Sequence, residues 1–188
     1  MPEISIDKET HIYKVDNIIR PSVSDILGIY FEPCPFWDEP GRTNGKIRHE
    51  WYNHLAQGKQ ADYEPDERIS GAVKGFEKFM ADVKPEYVSG EVAYYHPALQ
   101  YCGTPDMVCR LAGRLALVDF KPKSKAKRTR VQTALYYSML RANGIMVLDR
   151  YELRLYDGLY RLDRHEDVND VRRAETMAAA YTAAQFYK

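Results

Sequence analysis

The sequence predicts an α/β fold in which helices flank a mixed central β-sheet. Two β-rich runs, residues 106–111 and 115–121, are separated by a turn that contains Gly113, and this arrangement predicts a β-hairpin. A helical segment at 129–142 then leads to a strand pattern at 150–156. Further helices are predicted on the N-terminal side, so the strands form the centre of an α/β sandwich.

The chain has 188 residues, which fits one domain with a substantial core. We expect a single domain over residues 1–188: a mainly helical N-terminal part (1–85), the sheet and helix that carry the candidate site (86–165) and a C-terminal helix (166–188). No run approaches the roughly 18 to 20 apolar residues of a membrane helix, and the N-terminus lacks the layout of a signal peptide. We therefore expect a cytoplasmic protein without a membrane partner.

The N-terminal part begins with strand signals and continues with helix signals. Residues 4–15 predict a small hairpin around a polar turn. Ser22, with an aspartate three positions later, predicts the capping box of a short first helix. Apolar residues at helical spacing predict a second helix over residues 44–57 and a third over residues 67–83.

The remaining elements follow the same logic. Residues 91–95 predict the first strand of the central sheet. Residues 150–156 alternate polar with apolar side chains, which is typical of a strand with one wet face. A turn signal at Gly158 leads into a further strand at 159–162, and an alanine-rich helix runs from about residue 169 to the end.

Acidic and basic side chains meet at one end of the predicted hairpin. Asp106 opens the first strand, while Asp119 and Lys121 close the second strand on one face, because strand side chains alternate. In an antiparallel pair the start of one strand lies beside the end of the next, so the three side chains should converge. Two adjacent aspartates repel each other, so they need either a cation such as Mg²⁺ between them or a raised pKa. A lysine beside them suits phosphodiester hydrolysis better than acyl transfer or redox chemistry.

These residues belong to a longer pattern that resembles the PD-(D/E)XK nuclease superfamily, within it the RecB-like and phage-type exonuclease branch. Its three motifs occur here in order as Gly103 with Asp106, Asp119 with Lys121, and Gln132 with Tyr136. The resemblance implies a restriction-endonuclease-like α-β-β-β-α-β core. It also implies a metal-dependent deoxyribonuclease that acts in DNA processing or recombination.

The resemblance assigns roles around one or two Mg²⁺ or Mn²⁺ ions. Asp106 and Asp119 would bind the ions together with the backbone carbonyl of Phe120. Lys121 would position or activate the attacking water. Glu91 would support the site, or it is a surface carboxylate on an edge strand. The two α-helical motif residues, Gln132 and Tyr136, would orient DNA.

A histidine is a further candidate ligand. Gly45 and His49 match a Gly-x-x-x-His pattern that places a histidine at the metal in RecB-like relatives. A lone histidine is more often structural, and aspartates could hold the metal without it. Some relatives carry an iron-sulfur cluster on four cysteines, but this chain has only three, so we expect no cluster.

The net charge is zero, so nucleic-acid binding has to rest on a local patch. Between residues 121 and 130, six of ten residues are basic and none is acidic. Beyond Lys121 they are Lys123, Lys125, Lys127, Arg128 and Arg130. The segment is either a solvated loop or a grip on the DNA backbone that does not read sequence.

The sequence is compatible with three functions. The first is a DNA exonuclease, the second a structure-specific endonuclease, and the third a non-catalytic nucleic-acid-binding protein on the same fold. DNA is the expected partner. No P-loop pattern occurs, so translocation would need a helicase or another recombination or annealing protein as a partner. A homo-oligomer is a further expectation, because similar phage exonucleases form rings.

Overall fold

The computed structural model describes residues 2–7, 10–31, 39–59, 65–122 and 128–185. In chain order the elements are β1 Ile4–Asp7, β2 Ile12–Val15, β3 Ile18–Arg20, α1 Val23–Tyr30, α2 Glu39–Ala56, α3 Glu67–Val83, β4 Glu86–Ser89, β5 Tyr94–His96, β6 Tyr101–Gly103, β7 Met107–Leu111, β8 Arg114–Lys121, α4 Arg128–Ala142, β9 Asp149–Tyr156, β10 Leu159–Arg164 and α5 Val168–Gln185.

A five-stranded mixed sheet forms the centre of the fold, with the strand order β10-β9-β8-β7-β4. Strands β8 and β9 are parallel, and the other neighbours are antiparallel. The parallel pair is joined through α4, since parallel strands need a crossover connection. Apart from β5 and β6, which form a separate sheet between β4 and β7, the elements α3, β4, β7, β8, α4 and β9 have the order α-β-β-β-α-β, which confirms the predicted fold class.

Two hydrophobic layers cover the two faces of the sheet. On one face, side chains such as Val118 and Phe120 of β8 pack against α2 and α3. On the other face, Leu117 packs with α1, α4 and α5. Because strand side chains alternate, Asp119 and Lys121 must lie on the second face, beneath α4. The alternation therefore places the charged end of β8 beside the helix that carries Gln132 and Tyr136.

The N-terminal segment forms a small sheet of three antiparallel strands, β1-β2-β3. The predicted hairpin is confirmed, and β3 extends it. Tyr13 and Val15 of this sheet pack against Tyr95 and Cys102 of the two-stranded β5-β6 sheet. The predicted capping box at Ser22 is present at the start of α1.

The prediction for residues 91–95 is wrong. The outer strand of the central sheet is β4, Glu86–Ser89, which pairs with β7. The chain then turns through Glu91, whose φ of 55° is in the left-handed region that a strand does not adopt. Strand β5 starts three residues later and pairs with β6 in a separate sheet. Glu91 therefore lies in a connection, not in a strand.

The helices agree with the sequence pattern, with α2 starting about one turn earlier than residue 44. Strand β10 continues to Arg164, two residues beyond the predicted end. Within the described residues, none of the helices has the length and apolar character that crossing a membrane requires.

Candidate active site and metal centre

The predicted acidic and basic side chains come together at the end of β7 and β8. Asp106 directly precedes β7, whose Met107 pairs with Val118, so Asp106 lies beside Asp119. Lys121 Nζ is 2.6 Å from Asp119 Oδ2. The Phe120 backbone N–H donates to Asp106 Oδ2 over 2.6 Å, which fixes the first carboxylate against the second strand.

Asp119 is fully buried and poorly hydrogen-bonded. Its exposed fraction is 0%. Neither of its oxygens has a hydrogen bond of acceptable geometry among the described residues, although the Lys121 ammonium is close. Burial raises the pKa of Asp119 to about 7; attraction to Lys121 opposes this shift and repulsion from Asp106 adds to it. A buried carboxylate of this kind is a natural ligand for a cation.

A second cluster adjoins Asp106 on its other side. His49 of α2 lies with Nδ1 3.3 Å from Asp106 Oδ1 and 3.2 Å from Glu91 Oε1. One ligand atom from each of these three residues lies within 4.8 Å of the others. The imidazole also packs edge-on against the Phe120 ring, with 5.9 Å between centroids. Two remote segments, α2 and the turn after β4, thus reach the same point as the β7–β8 hairpin.

The carboxylates of this cluster raise the pKa of His49, so that its imidazole is protonated. Burial opposes protonation, but attraction to Asp106 and hydrogen bonds to Asp106 and Glu91 outweigh it and raise the pKa of His49 to about 10. Without a cation the imidazolium is thus the counter-charge of the carboxylates. A divalent ion would replace that charge and bind the neutral imidazole, because a metal ligand has to be deprotonated.

The donor set fits a hard divalent cation. Carboxylate oxygens suit Mg²⁺ and Mn²⁺, and imidazole nitrogen is accepted by many transition metals. Asp106, Asp119, Glu91 and His49 are the residues that would hold it. The observation that favours this assignment is that, within the described part of the chain, the buried oxygens of Asp119 have no hydrogen bond of acceptable geometry. The Phe120 carbonyl stays a predicted ligand. Glu91, predicted to support the site, is close enough to belong to the ligand group itself.

The α4 motif residues lie under the same end of the sheet. Gln132 Nε2 is 3.5 Å from the hydroxyl of Tyr136. Burial, followed by the negative charges of Asp119 and Asp106, raises the pKa of Tyr136 well above its usual value. The phenol therefore stays protonated and can donate a hydrogen bond at any physiological pH.

The glycine of the first motif has a packing explanation. A Cβ added to Gly103 would lie 2.7 Å from Cε1 of Tyr136 and 2.9 Å from Cγ2 of Val23. Such separations are far below ordinary van der Waals contact. The absence of a side chain at Gly103 lets the Tyr136 ring approach the strand, and this links the first motif to the third.

No family model and no curated protein matches the sequence. Among solved structures, the chain is similar to the crystal structure of an alkaline exonuclease (LHK-Exo) from Laribacter hongkongensis, with a TM-score of 0.50 and 15% sequence identity. The match covers 88% of this chain and 87% of that chain. The fold is shared with an alkaline exonuclease. Another solved structure, SSO0001, has a TM-score of 0.38 and 11% identity over 83% of this chain and 81% of that chain.

The predicted basic segment is only partly described. Lys123, Lys125 and Lys127 lie outside the described residues. Arg128 begins α4. Arg130 forms ion pairs with Asp170 at 3.1 Å and with Asp167 at 3.6 Å, so its guanidinium ties α4 to α5. This contact favours a structural role for Arg130 over contact with a nucleic acid.

The sequence pattern missed buried charges on β9. The face of β9 predicted to be wet is buried: Arg150, Glu152 and Arg154 are each at most 7% exposed. Helix α4 contacts β9, and Asp170 of α5 lies 3.6 Å from Arg150 on this face. The parallel register pairs Asp119 with Glu152 and Lys121 with Arg154. One sequence feature could have indicated these buried charges. An acidic residue is followed two positions later by a basic one in both strands, as Asp119-x-Lys121 and as Glu152-x-Arg154.

Proposed function

We propose that this protein is a divalent-metal-dependent nuclease that hydrolyses phosphodiester bonds in DNA, with exonuclease action as the first choice. The observation that carries the proposal is the convergence of His49, Glu91 and Asp106 in one ligand group next to buried Asp119 and Lys121. The shared fold with an alkaline exonuclease supports it. The convergence of ligands from separate segments is more specific than a single Asp-x-Lys motif.

The proposed chemistry needs a cation and hydrogen-bond donors around one phosphate. When bound, the cation would supply positive charge that polarises the phosphate and lowers the pKa of water. The Lys121 ammonium lies 2.6 Å from Asp119, and it would orient a water or neutralise charge on phosphate oxygens. Tyr136 and Gln132 offer neutral donors to the same region.

The direct test compares three labelled substrates, a linear duplex, a closed circle and a single strand, each incubated with Mg²⁺, Mn²⁺ or EDTA. Exonuclease action predicts metal-dependent shortening of the linear substrates and an intact circle. Cutting of the circle would replace the exonuclease by a structure-specific endonuclease. Tight binding without metal-dependent cutting would replace both by a non-catalytic nucleic-acid-binding protein.

Variants connect the activity to this site. Asp106→Asn should abolish cutting, because it removes a charge shared by His49 and the candidate cation. The matched control is Asp149→Asn, which removes a buried acid at the far end of β9, where it pairs with Arg114 and Arg164. The control should cut at the wild-type rate per folded molecule. Equal losses in both variants would remove the assignment of Asp106.

DNA-binding measurements test whether the basic segment contacts the DNA backbone. Replacing Lys123, Lys125 and Lys127 by Gln should weaken DNA binding and reduce the slope of log affinity against log salt by about 2 to 3, because each lost phosphate contact contributes about 0.9 to that slope. A control variant replaces three exposed lysines elsewhere: Lys14, Lys74 and Lys84. If the two variants have the same slope, the segment is a solvated loop.

A further inference from the structure

The active-site end of the sheet carries a row of acidic residues across four strands. Asp106 lies beside Asp119, Asp119 pairs in register with Glu152 of β9, and Glu152 pairs with Asp163 of β10. Registered residues on neighbouring strands share a face and lie about 5 Å apart at the backbone. The candidate site therefore does not end at β8, and its charges continue into β9.

Glu152 is a buried carboxylate that the proposed chemistry does not use. It is 5% exposed. Arg154 Nε lies 3.2 Å from its Oε1, but that oxygen has no hydrogen bond of acceptable geometry among the described residues. Burial raises the pKa of Glu152, while the charges of Arg154 and Lys121 act against that rise. A buried anion has to be compensated by nearby positive charge, and Lys121 is one of its two main sources.

Lys121 follows Asp119 by two residues on β8, and Asp119 faces Glu152 in the register between β8 and β9. Its side chain is 19% exposed, and its Nζ is 2.6 Å from Asp119. Glu152 adds a further attraction from β9. Asp119 is also a candidate ligand of the cation, so its negative charge would be divided between the cation and the ammonium. Glu152 lies one strand further from Asp106 than Asp119 does, so its charge stays available to Lys121.

We propose that Glu152 is a positioning residue for Lys121: a buried counter-charge on β9 that keeps the ammonium at the active site while Asp119 is engaged with a cation. Arg154 holds Glu152 in turn, and Asp163 of β10 contacts Arg154. The inference rests on the proposed nuclease function, but the pairing of Glu152 with Lys121 can be measured without it.

A double-mutant cycle on cutting tests the role. In single-turnover measurements with Mn²⁺, Glu152→Gln should lower the rate constant about tenfold, which corresponds to about 1.4 kcal/mol, and leave DNA affinity unchanged. In a Lys121→Met background the same substitution should have no further effect, because its effect acts through Lys121. Additive losses would overturn the inference. Asp149→Asn, another buried acid of β9, is the control and should leave the rate unchanged.

A second cycle measures the pair by urea unfolding in EDTA. The free energies of unfolding of wild type, both single variants and the double variant should be non-additive, whereas Asp149→Asn with Lys121→Met should be additive. If the wild type does not cut any of the three substrates, the nuclease proposal fails and this second cycle alone decides the pairing. Additivity of Glu152→Gln with Lys121→Met would then overturn it.

Discussion

Asp119→Asn should make the metal-free protein more stable at pH 8 while it abolishes cutting. The folded-state pKa of Asp119 is about 7, against 3.8 for the ordinary side chain. The folded protein therefore binds this proton more tightly than the unfolded chain does, and stability is lost as the pH rises from about 4 to about 7. A difference of about 3 pKa units corresponds to about 4 kcal/mol.

The pKa of about 7 already contains the attraction of Lys121 to the ionised carboxylate, so the loss of that ion pair does not reduce the gain further. Asparagine resembles the protonated carboxyl, and we therefore expect the variant to be more stable than wild type by about 4 kcal/mol at pH 8. The advantage should disappear toward pH 4, where the wild-type carboxyl is protonated in the folded state.

Urea unfolding in EDTA at several pH values measures the difference directly. Asp149→Asn is the control with the opposite sign. Hydrogen bonds from Arg114, and then from Arg164, hold the pKa of Asp149 below its ordinary value, so its contribution to stability is present above pH 4 and lost as the pH falls. A pH-independent difference between Asp119→Asn and wild type, or a less stable variant at pH 8, would refute the reasoning.

Three further predictions concern the candidate metal ligand His49, the packing of Gly103 and the buried histidine His165. His49→Ala should weaken Mn²⁺ binding at least about tenfold, the loss typical even of outer-shell partners, as measured by calorimetric titration; unchanged affinity would exclude His49 as a ligand. Gly103→Ala should lower the free energy of unfolding by about 1 to 3 kcal/mol, because the new methyl group overlaps the Tyr136 ring; stability equal to wild type would contradict the packing explanation. Burial, then the charges of Arg150 and Arg130, lowers the pKa of His165 to about 4. Its neutral form thus stabilises the fold, and about 3 kcal/mol should be lost as the pH falls from about 6.5 to about 4. His165→Gln should lack this part of the pH dependence in urea unfolding, and an identical profile would show that His165 does not contribute.

Local sequence patterns were sufficient to predict the hairpin and the helices that surround the candidate site. The β7–β8 hairpin and α4 are specified by alternation, a glycine turn and helical spacing within about forty residues. The same alternation places Asp119 and Lys121 on one face, so their meeting with Asp106 follows from the sequence. The convergence of these side chains is present in the structure, and their catalytic roles stay predictions.

Pairing between strands that are distant in the sequence determines two features that local sequence patterns do not predict. Residues 86–89 and 91–95 have similar strand-forming patterns, and only the pairing of β4 with β7 selects the first for the central sheet. The burial of Glu152 depends on the parallel register between β8 and β9, which is set across the whole α4 crossover. A strand pattern read alone cannot tell a polar face in water from a polar face under a helix.

The alternation of side chains at the end of β8 links the packing of the hydrophobic core to the geometry of the candidate site. Phe120 contributes to the hydrophobic layer under α2 and α3, and its two sequence neighbours project into the acidic site on the opposite side. If β8 shifted by one residue in its pairing, the charges of Asp119 and Lys121 would lie in the hydrophobic layer, and the Phe120 ring would lie among carboxylates. The register that assembles the hydrophobic core is therefore also the register that brings Asp119 and Lys121 to the candidate site, and a misregistered chain would lose both.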